Sequence, residues 1–358
     1  MARSVLAASL ALLVALPAAA HANQASDKVI ADAIDGFIRP AYGRLVEDTA
    51  ALGKSVEALC AAPSADNLAA ARAAFSKTTV TWSEIEIIRF GPITEHNRLE
   101  RMLFWPDRKG TGLKQVQAAL SDKDETATDA GKLGDKSVAM QGLGALEFVL
   151  FGTGADELAG TSAAYRCAYG KAIAGNIGTI ATDVDAAWRD DNGFASQWQH
   201  PGPQNPLYRT ASEAATALLE VYVNGLELVR DVRVGGFLGK EASADKPKQA
   251  LYWRSEGTAT SLGGNLAGMK ALFDASHFGS LLPDDSQWIA QSIDFEFANG
   301  QNAAAGITGP IDAALADADK RAKLTYFGVV TSSLSELFGT RLSSALGLTA
   351  GFSSLDGD

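Results

Sequence analysis

The sequence predicts an all-α protein made of two helical-bundle halves. Apolar residues recur at three- and four-residue intervals along most of the chain, the period of one face of a helix. No alternating apolar and polar run bounded by hairpin turns competes with that pattern. One stretch rich in Gly, Pro, Asn and Asp, "RDDNGFASQWQHPGPQNP" from Arg189 to Pro206, interrupts it near the middle and reads as a long surface connection. The halves are residues 24–195 and 205–358, each large enough for a core of its own.

The elements follow in order. "SDKVIADAIDGFIRPAYGRLVEDTAALGKSVEALC" is a helix that Pro40 is expected to kink or divide. "SADNLAAARAAFSKTTVTWSEIEIIRF" is a second, with Ser64 as its N-cap and Gly91-Pro92 as its stop. Further helices are expected over Leu113 to Ser121, Ser137 to Leu150, Ser162 to Arg189, Pro206 to Val232, Gly257 to Ala275, Ser286 to Gln301 and Lys320 to Leu346.

The opening "MARSVLAASLALLVALPAAAHA" carries Arg3, an apolar run from Val5 to Leu16, Pro17 and the small-residue pattern Ala20-His21-Ala22. Residues 1–22 therefore read as a signal peptide cleaved before Asn23, and the expected location is the periplasm. That run is too short to span a bilayer, and no later segment reaches transmembrane length. With 47% hydrophobic and 20% charged residues over its 358 positions the chain can bury a large core. The net charge of −11 opposes nucleic acid and anionic membrane surfaces as partners. Cys60 and Cys167 are the only cysteines, and in an oxidising compartment they are expected to pair; the alternative is two buried thiols.

One acid stands in an apolar run: Glu147 in "MQGLGALEFVLFG". Leu143, Gly144, Leu150 and Phe151 share its helical face. A buried carboxylate needs a partner, so Glu147 is either a structural acid paired with a neighbouring arginine or a functional one. Gly142 and Gly144 each cost helix stability, about 1 kcal/mol relative to Ala, so a close backbone approach or a special contact is expected at them.

Five segments carry a resemblance to the imelysin-like family, also classed as M75 peptidases: "WSEIEIIRFGP" from Trp82, "RMLFWPD" from Arg101, "GLGALEFVLFG" from Gly142, "YWRSEGTATSLGGNL" from Tyr252 and "LGLTAGFSSLDGD" from Leu346. The resemblance implies an exported all-helical protein with a polar site near the interface of its halves, associated with bacterial iron acquisition. It also implies a G-x-H-x-x-E signature whose His and Glu lie one turn apart and ligate a metal. Here Gly142 and Glu147 match, while the histidine position holds Gly144.

Glycine offers no side-chain donor, so Glu147 is left as the sole candidate ligand of iron or another divalent metal from this motif, and binding is expected to be weakened. His96, His200 and His277 sit in or beside loop-like segments without a second His at ligand spacing. No His-Glu-x-x-His occurs either, so the residues do not support the peptidase label.

Arg89 lies three residues after Glu86, an ordinary helical ion-pair spacing, but at a helix end where a ligand could meet it. Arg254 precedes a glycine-rich helix start that favours an anion; equally, it could neutralise Glu147 across the interface, which is the preferred expectation. Trp82 is expected in the core and Trp105-Pro106 in a rigid turn. The candidate ligand-binding set is Glu147, Arg89 and Arg254, with Gln141, Arg101, Ser261 and Asn265 as lesser members.

The expected function is a non-catalytic ligand- or iron-binding component of iron uptake, acting on a small ligand or metal and with other iron-uptake proteins as partners. The alternatives are a metal-dependent M75-type peptidase and a scaffold with a decayed metal site.

Overall fold

The computed structural model describes residues 26–349, and every regular element among them is helical. The expected signal peptide and the tail at 350–358 lie outside the described residues. Helix α1 spans 26–61 and is not divided at Pro40. A π turn, Ile34–Ile38, comes directly before the α-helical stretch Arg39–Ala61, leaving Pro40 in that stretch's first turn. Proline lacks an N–H and crowds the carbonyl four residues back; the wider π turn relieves both demands within a continuous helix.

Helix α2, Ala65–Ile85, starts as expected, with the Ser64 hydroxyl accepting a hydrogen bond from the Asn67 amide at 3.1 Å. It stops five residues before the expected Phe90. Ile85, Glu86, Ile87 and Ile88 are all buried in succession. A regular helix turns about 100° per residue, so it cannot bury four consecutive side chains against one neighbour, and the chain unwinds to do so.

Helices α3 (Thr111–Asp122), α4 (Leu143–Phe151) and α5 (Ala164–Arg189) complete the first half. The helix expected over Ser137 to Leu150 is broken: a 3-10 turn, Val138–Met140, precedes α4, and Gly142 between them is extended. A Cβ on Gly142 would lie 2.4 Å from the Met102 carbonyl oxygen, so the break presses this backbone against the end of the Arg98–Met102 helix. Cys60, at the end of α1, is bonded to Cys167, at the start of α5, with Cα atoms 5.5 Å apart. Farther from the disulfide, the Arg39 Nε, in the first half of α1, donates to the carbonyl of Trp188, near the end of α5, at 2.8 Å. The two helices therefore run antiparallel.

In the second half, α6 (Ala211–Glu227) continues through a π turn, Leu228–Val234. Helices α7 (Thr258–Ser276) and α8 (Trp288–Ala305) follow. Helix α9 (Ala318–Glu336) runs on through a π turn, Leu337–Leu342, to Ser343–Leu346. The expected surface connection holds a short helix, Phe194–Gln199. Its Trp198 is fully buried and donates Nε1 to the Ala214 carbonyl at 3.0 Å, inside a ring cluster with Phe90, Trp188 and Phe194. Aromatic residues four apart on one helical face supply enough apolar area to draw this segment into the core.

Helix α1 packs on α2 and α5, and α8 packs on α7 and α9. The contact of α2 with α7 joins the halves. There the backbones nearly touch: a Cβ on Gly268 would stand 1.9 Å from the Glu84 carbonyl oxygen. The buried hydrophobic residues of both halves form one continuous cluster.

Candidate functional site

Glu147 projects from α4 and is only 4% exposed. Its Oε1 accepts hydrogen bonds from the Ser255 amide at 3.0 Å and the Ser255 hydroxyl at 2.8 Å. Ser255 lies in the segment leading into α7, so the acid of the first half is held by the second. Burial raises the Glu147 carboxyl pKa, against the lowering effect of the Ser255 hydrogen bonds and of the Arg254 charge.

Arg254 makes no ion pair with Glu147, although its charge is felt there. Its guanidinium stacks instead, 4.4 Å from the Trp253 ring centroid and 5.4 Å from that of Phe148. Burial lowers its pKa while Glu147 opposes the shift; guanidinium remains a cation across any physiological pH. The expected neutralisation of Glu147 by contact with Arg254 is therefore not made; the second half holds the acid through Ser255 instead.

Both residues line a cavity of about 600 Å³, together with Phe104, Trp105, Tyr252 and Trp253. Gly144 is part of the same wall, and a Cβ there would meet nothing nearer than the Phe104 carbonyl oxygen at 4.0 Å. The two glycines of the motif thus differ: Gly142 permits a close backbone contact, and Gly144 leaves open space where an imidazole would stand.

One layer behind this cavity is a polar network. Arg233, at the π turn that ends α6, forms an ion pair with Glu86 in which both side chains are buried. Arg233 also donates to the Ser261 hydroxyl at 2.8 Å, which is hydrogen-bonded to the Ser83 hydroxyl at 2.8 Å. The Asn265 amide donates to Glu86 and, at 2.7 Å, to the Ser83 carbonyl. The guanidinium carbon lies 5.4 Å from the ring centroid of Trp105, whose residue also lines the cavity. Ser261 and Asn265 therefore bind protein groups rather than the cavity, and Glu86 pairs with Arg233 rather than with Arg89.

The remaining candidates lie apart. Arg101 donates to Gln141 at 2.9 Å and to Asn176 at 2.7 Å, and Gln141 donates to backbone carbonyls of the loop before α4; this cluster ties α5 to that loop. Arg89 borders a second cavity of about 600 Å³ with Tyr208, Glu213 and Asn224. Solvent reaches Arg89, yet the protein packed around it lowers its pKa, with Glu86 opposing. Trp82 is in the core as expected, and the Trp105-Pro106 peptide is cis.

Among the described residues no group of three or more His, Cys, Asp or Glu side chains is placed to hold a metal ion. His200 is exposed and bonded to the Ser196 carbonyl, while His96 and His277 are left-handed turn residues. With Gly144 facing open space, the side chains of this chain do not fit a His-and-Glu metal centre at Glu147.

Sequence reasoning missed Arg233, and it did not single out Phe148, Tyr252 or Trp253 as cavity walls. The wall residues were nonetheless within the segments "GLGALEFVLFG" and "YWRSEGTATSLGGNL". Arg233 carried no such signal.

No helix among the described residues is long and apolar enough to cross a membrane. The family model of imelysin, peptidase M75, matches residues 38–337. Iron-regulated protein A of Synechococcus elongatus is 24% identical over 314 residues, which cover 81% of this chain and 78% of that protein. A solved imelysin-like protein from Psychrobacter arcticum 273-4 has a TM-score of 0.73 at 21% identity, covering 92% of this chain and 98% of the other. A solved structure from Parabacteroides distasonis ATCC 8503 has a TM-score of 0.76 at 15% identity, covering 90% and 95%. The two solved structures support the helical fold, and with the family model spanning most of the sequence, the chain belongs to the imelysin family.

Proposed function

We propose that this protein is an exported, non-catalytic binding component of bacterial iron uptake, and that its ligand is housed in the cavity lined by Glu147 and Arg254. One observation carries the placement. The acid retained from the family signature faces a cavity of about 600 Å³ in which the position of the lost histidine is open space. That volume is within the range of small-molecule sites, about 300 to 1,000 Å³. The iron connection draws on the family and on the name of the Synechococcus relative. Export draws on the opening signal-peptide pattern.

The non-catalytic reading rests on Gly144, which removes a donor a catalytic metal would need, and on a Glu147 carboxylate already engaged by Ser255. The test is to purify the mature protein, measure its metal content and titrate it with ferrous iron, ferric iron and haem. Binding weakened by Glu147→Gln, and by Gly144→Phe as a cavity-filling change, is the expected result. Binding indifferent to both substitutions would place the site elsewhere, and metal-dependent peptide cleavage would refute the non-catalytic reading.

A further inference from the structure

Resting on that reading of the cavity, we propose that its ligand is an anionic, carboxylate-bearing molecule that docks on Arg254, rather than a bare metal ion. The charges on the cavity wall divide into two groups. Each of its carboxylates is already engaged. Glu147 accepts from Ser255. Asp107 accepts from the amides of Thr111 at 2.7 Å and Gly112 at 2.9 Å, at the start of α3. Asp231 is held by two nitrogens of Arg230.

The cations of the same wall are Arg108, Lys246, Lys248 and Arg254, and among the described residues none of them forms an ion pair. A protein of net charge −11 thus presents unpaired positive charge to this cavity.

Arg254 is the focus of that charge. It is half-buried and lies against the rings of Trp253 and Phe148, and no hydrogen bond to another described residue occupies its guanidinium. Ring contact restrains the group while its N–H donors carry no partner among the described residues, and a planar guanidinium can take a carboxylate through two parallel hydrogen bonds. A free, partly desolvated guanidinium repels a bare cation, whose approach Glu147, with its raised pKa and its Ser255 partners, does little to favour. Phe104, Trp105 and Trp253 add flat apolar walls for the rest of the molecule. Tyr252, on the same wall, has a buried hydroxyl with no hydrogen-bond partner among the described residues.

A carboxylate ligand could arrive free or as the chelating shell of ferric iron, and calorimetry on the mature protein separates the two. The probes are citrate, ferric citrate and, anaerobically, ferrous ion. The expected result is binding of ferric citrate that Arg254→Met weakens about tenfold to a hundredfold, the usual effect of losing a charge-assisted hydrogen bond. Arg254→Lys, which keeps the charge and loses the planar fork, should restore only part of the affinity. Unaltered thermal unfolding of the variants shows that the fold is intact.

Equal binding of citrate identifies a free polycarboxylate as the ligand class, and preference for ferric citrate identifies a chelate; both support the inference. Binding of ferrous ion that is lost in Glu147→Gln but indifferent to Arg254→Met overturns it and leaves the cavity as the site. Absence of binding by both citrate forms also overturns it, whatever the metal or haem titrations show. Citrate binding that persists in Gly144→Phe instead refutes the placement in the cavity.

Discussion

Glu86 and Arg233 are 147 residues apart in the chain and form an ion pair across the two halves, with side chains 1% and 3% exposed. Ser261 and Asn265 hydrogen-bond this pair and Ser83 joins them, while Arg233 Nε and Asn265 Oδ1 have no hydrogen-bond partner among the described residues. Two desolvated charges that satisfy one another contribute little net stability, but removing either strands its partner. Glu86→Gln or Arg233→Met should therefore cost about 3 to 5 kcal/mol in denaturant unfolding. The double variant should cost clearly less than the sum of the two. Additive costs would show that the charges are not coupled.

The same cycle on Glu147 and Arg254 should give a coupling below about 1 kcal/mol, as for pairs separated or screened by other groups. The Glu147 carboxylate is held by Ser255 and the Arg254 guanidinium lies against the Trp253 and Phe148 rings, with no ion pair between the two. A coupling as large as that of Glu86 and Arg233 would mean that the carboxylate and guanidinium do touch in solution.

Glu147 should also leave a pH signature. Burial raises its pKa above the ordinary value of 4.5, so the folded state holds the proton in a range where the unfolded state has released it. Stability then falls as pH rises from 4.5 through the raised pKa. Glu147→Gln removes this dependence. Its melting temperature relative to the native protein should be least favourable near pH 4 and should improve toward pH 8, as read by calorimetric scans. A difference independent of pH would show that Glu147 titrates normally in the fold.

Gly144→His supplies the missing donor one helical turn before Glu147, where, outside its own helix, a new Cβ meets no described atom closer than the Phe104 carbonyl oxygen at 4.0 Å. We expect at least a tenfold gain in zinc or cobalt affinity from the added imidazole, measured by titration calorimetry, with the fold unaltered. An unchanged affinity would show that the cavity cannot bring the two donors onto one ion.

The Cys60–Cys167 disulfide closes a separation of 107 residues. Replacing both cysteines by alanine should lower stability by about 3 to 5 kcal/mol, the range for a loop of that length. Mass measurement after alkylation without reductant should find no free thiol on either residue. Two alkylated cysteines would contradict the bond.

The helices, the Ser64 cap, the pairing of the two cysteines and the burial of Glu147 were legible in the sequence. Each depends on local period, on one residue's hydrogen-bonding capacity, or on an acid standing among apolar neighbours. The early end of α2 was not legible, because the apolar run continues to Phe90 and the burial of four consecutive residues, with Glu86 paired to Arg233, is set by distant elements. Nor was the burial of Phe194 and Trp198, since the glycines and prolines around them read as a connection.

The candidate site divides in the same way. The sequence by itself determined that Glu147 is an acid among apolar neighbours and that Gly144 removes a donor, because those facts reside in residue identity; that Arg254 lies near Glu147 was an expectation from segments that resemble one family. Only the tertiary structure decided which charges meet. It gave Glu86 to Arg233, gave Ser261 and Asn265 to that pair, drew Gln141 and Arg101 into a cluster of their own, sent Arg89 to another cavity and left Arg254 stacked on Trp253. Ion pairing is set by distances of a few ångströms between elements far apart in the chain, and those distances follow from how backbones pack at points such as Gly142 and Gly268, which no local pattern encodes.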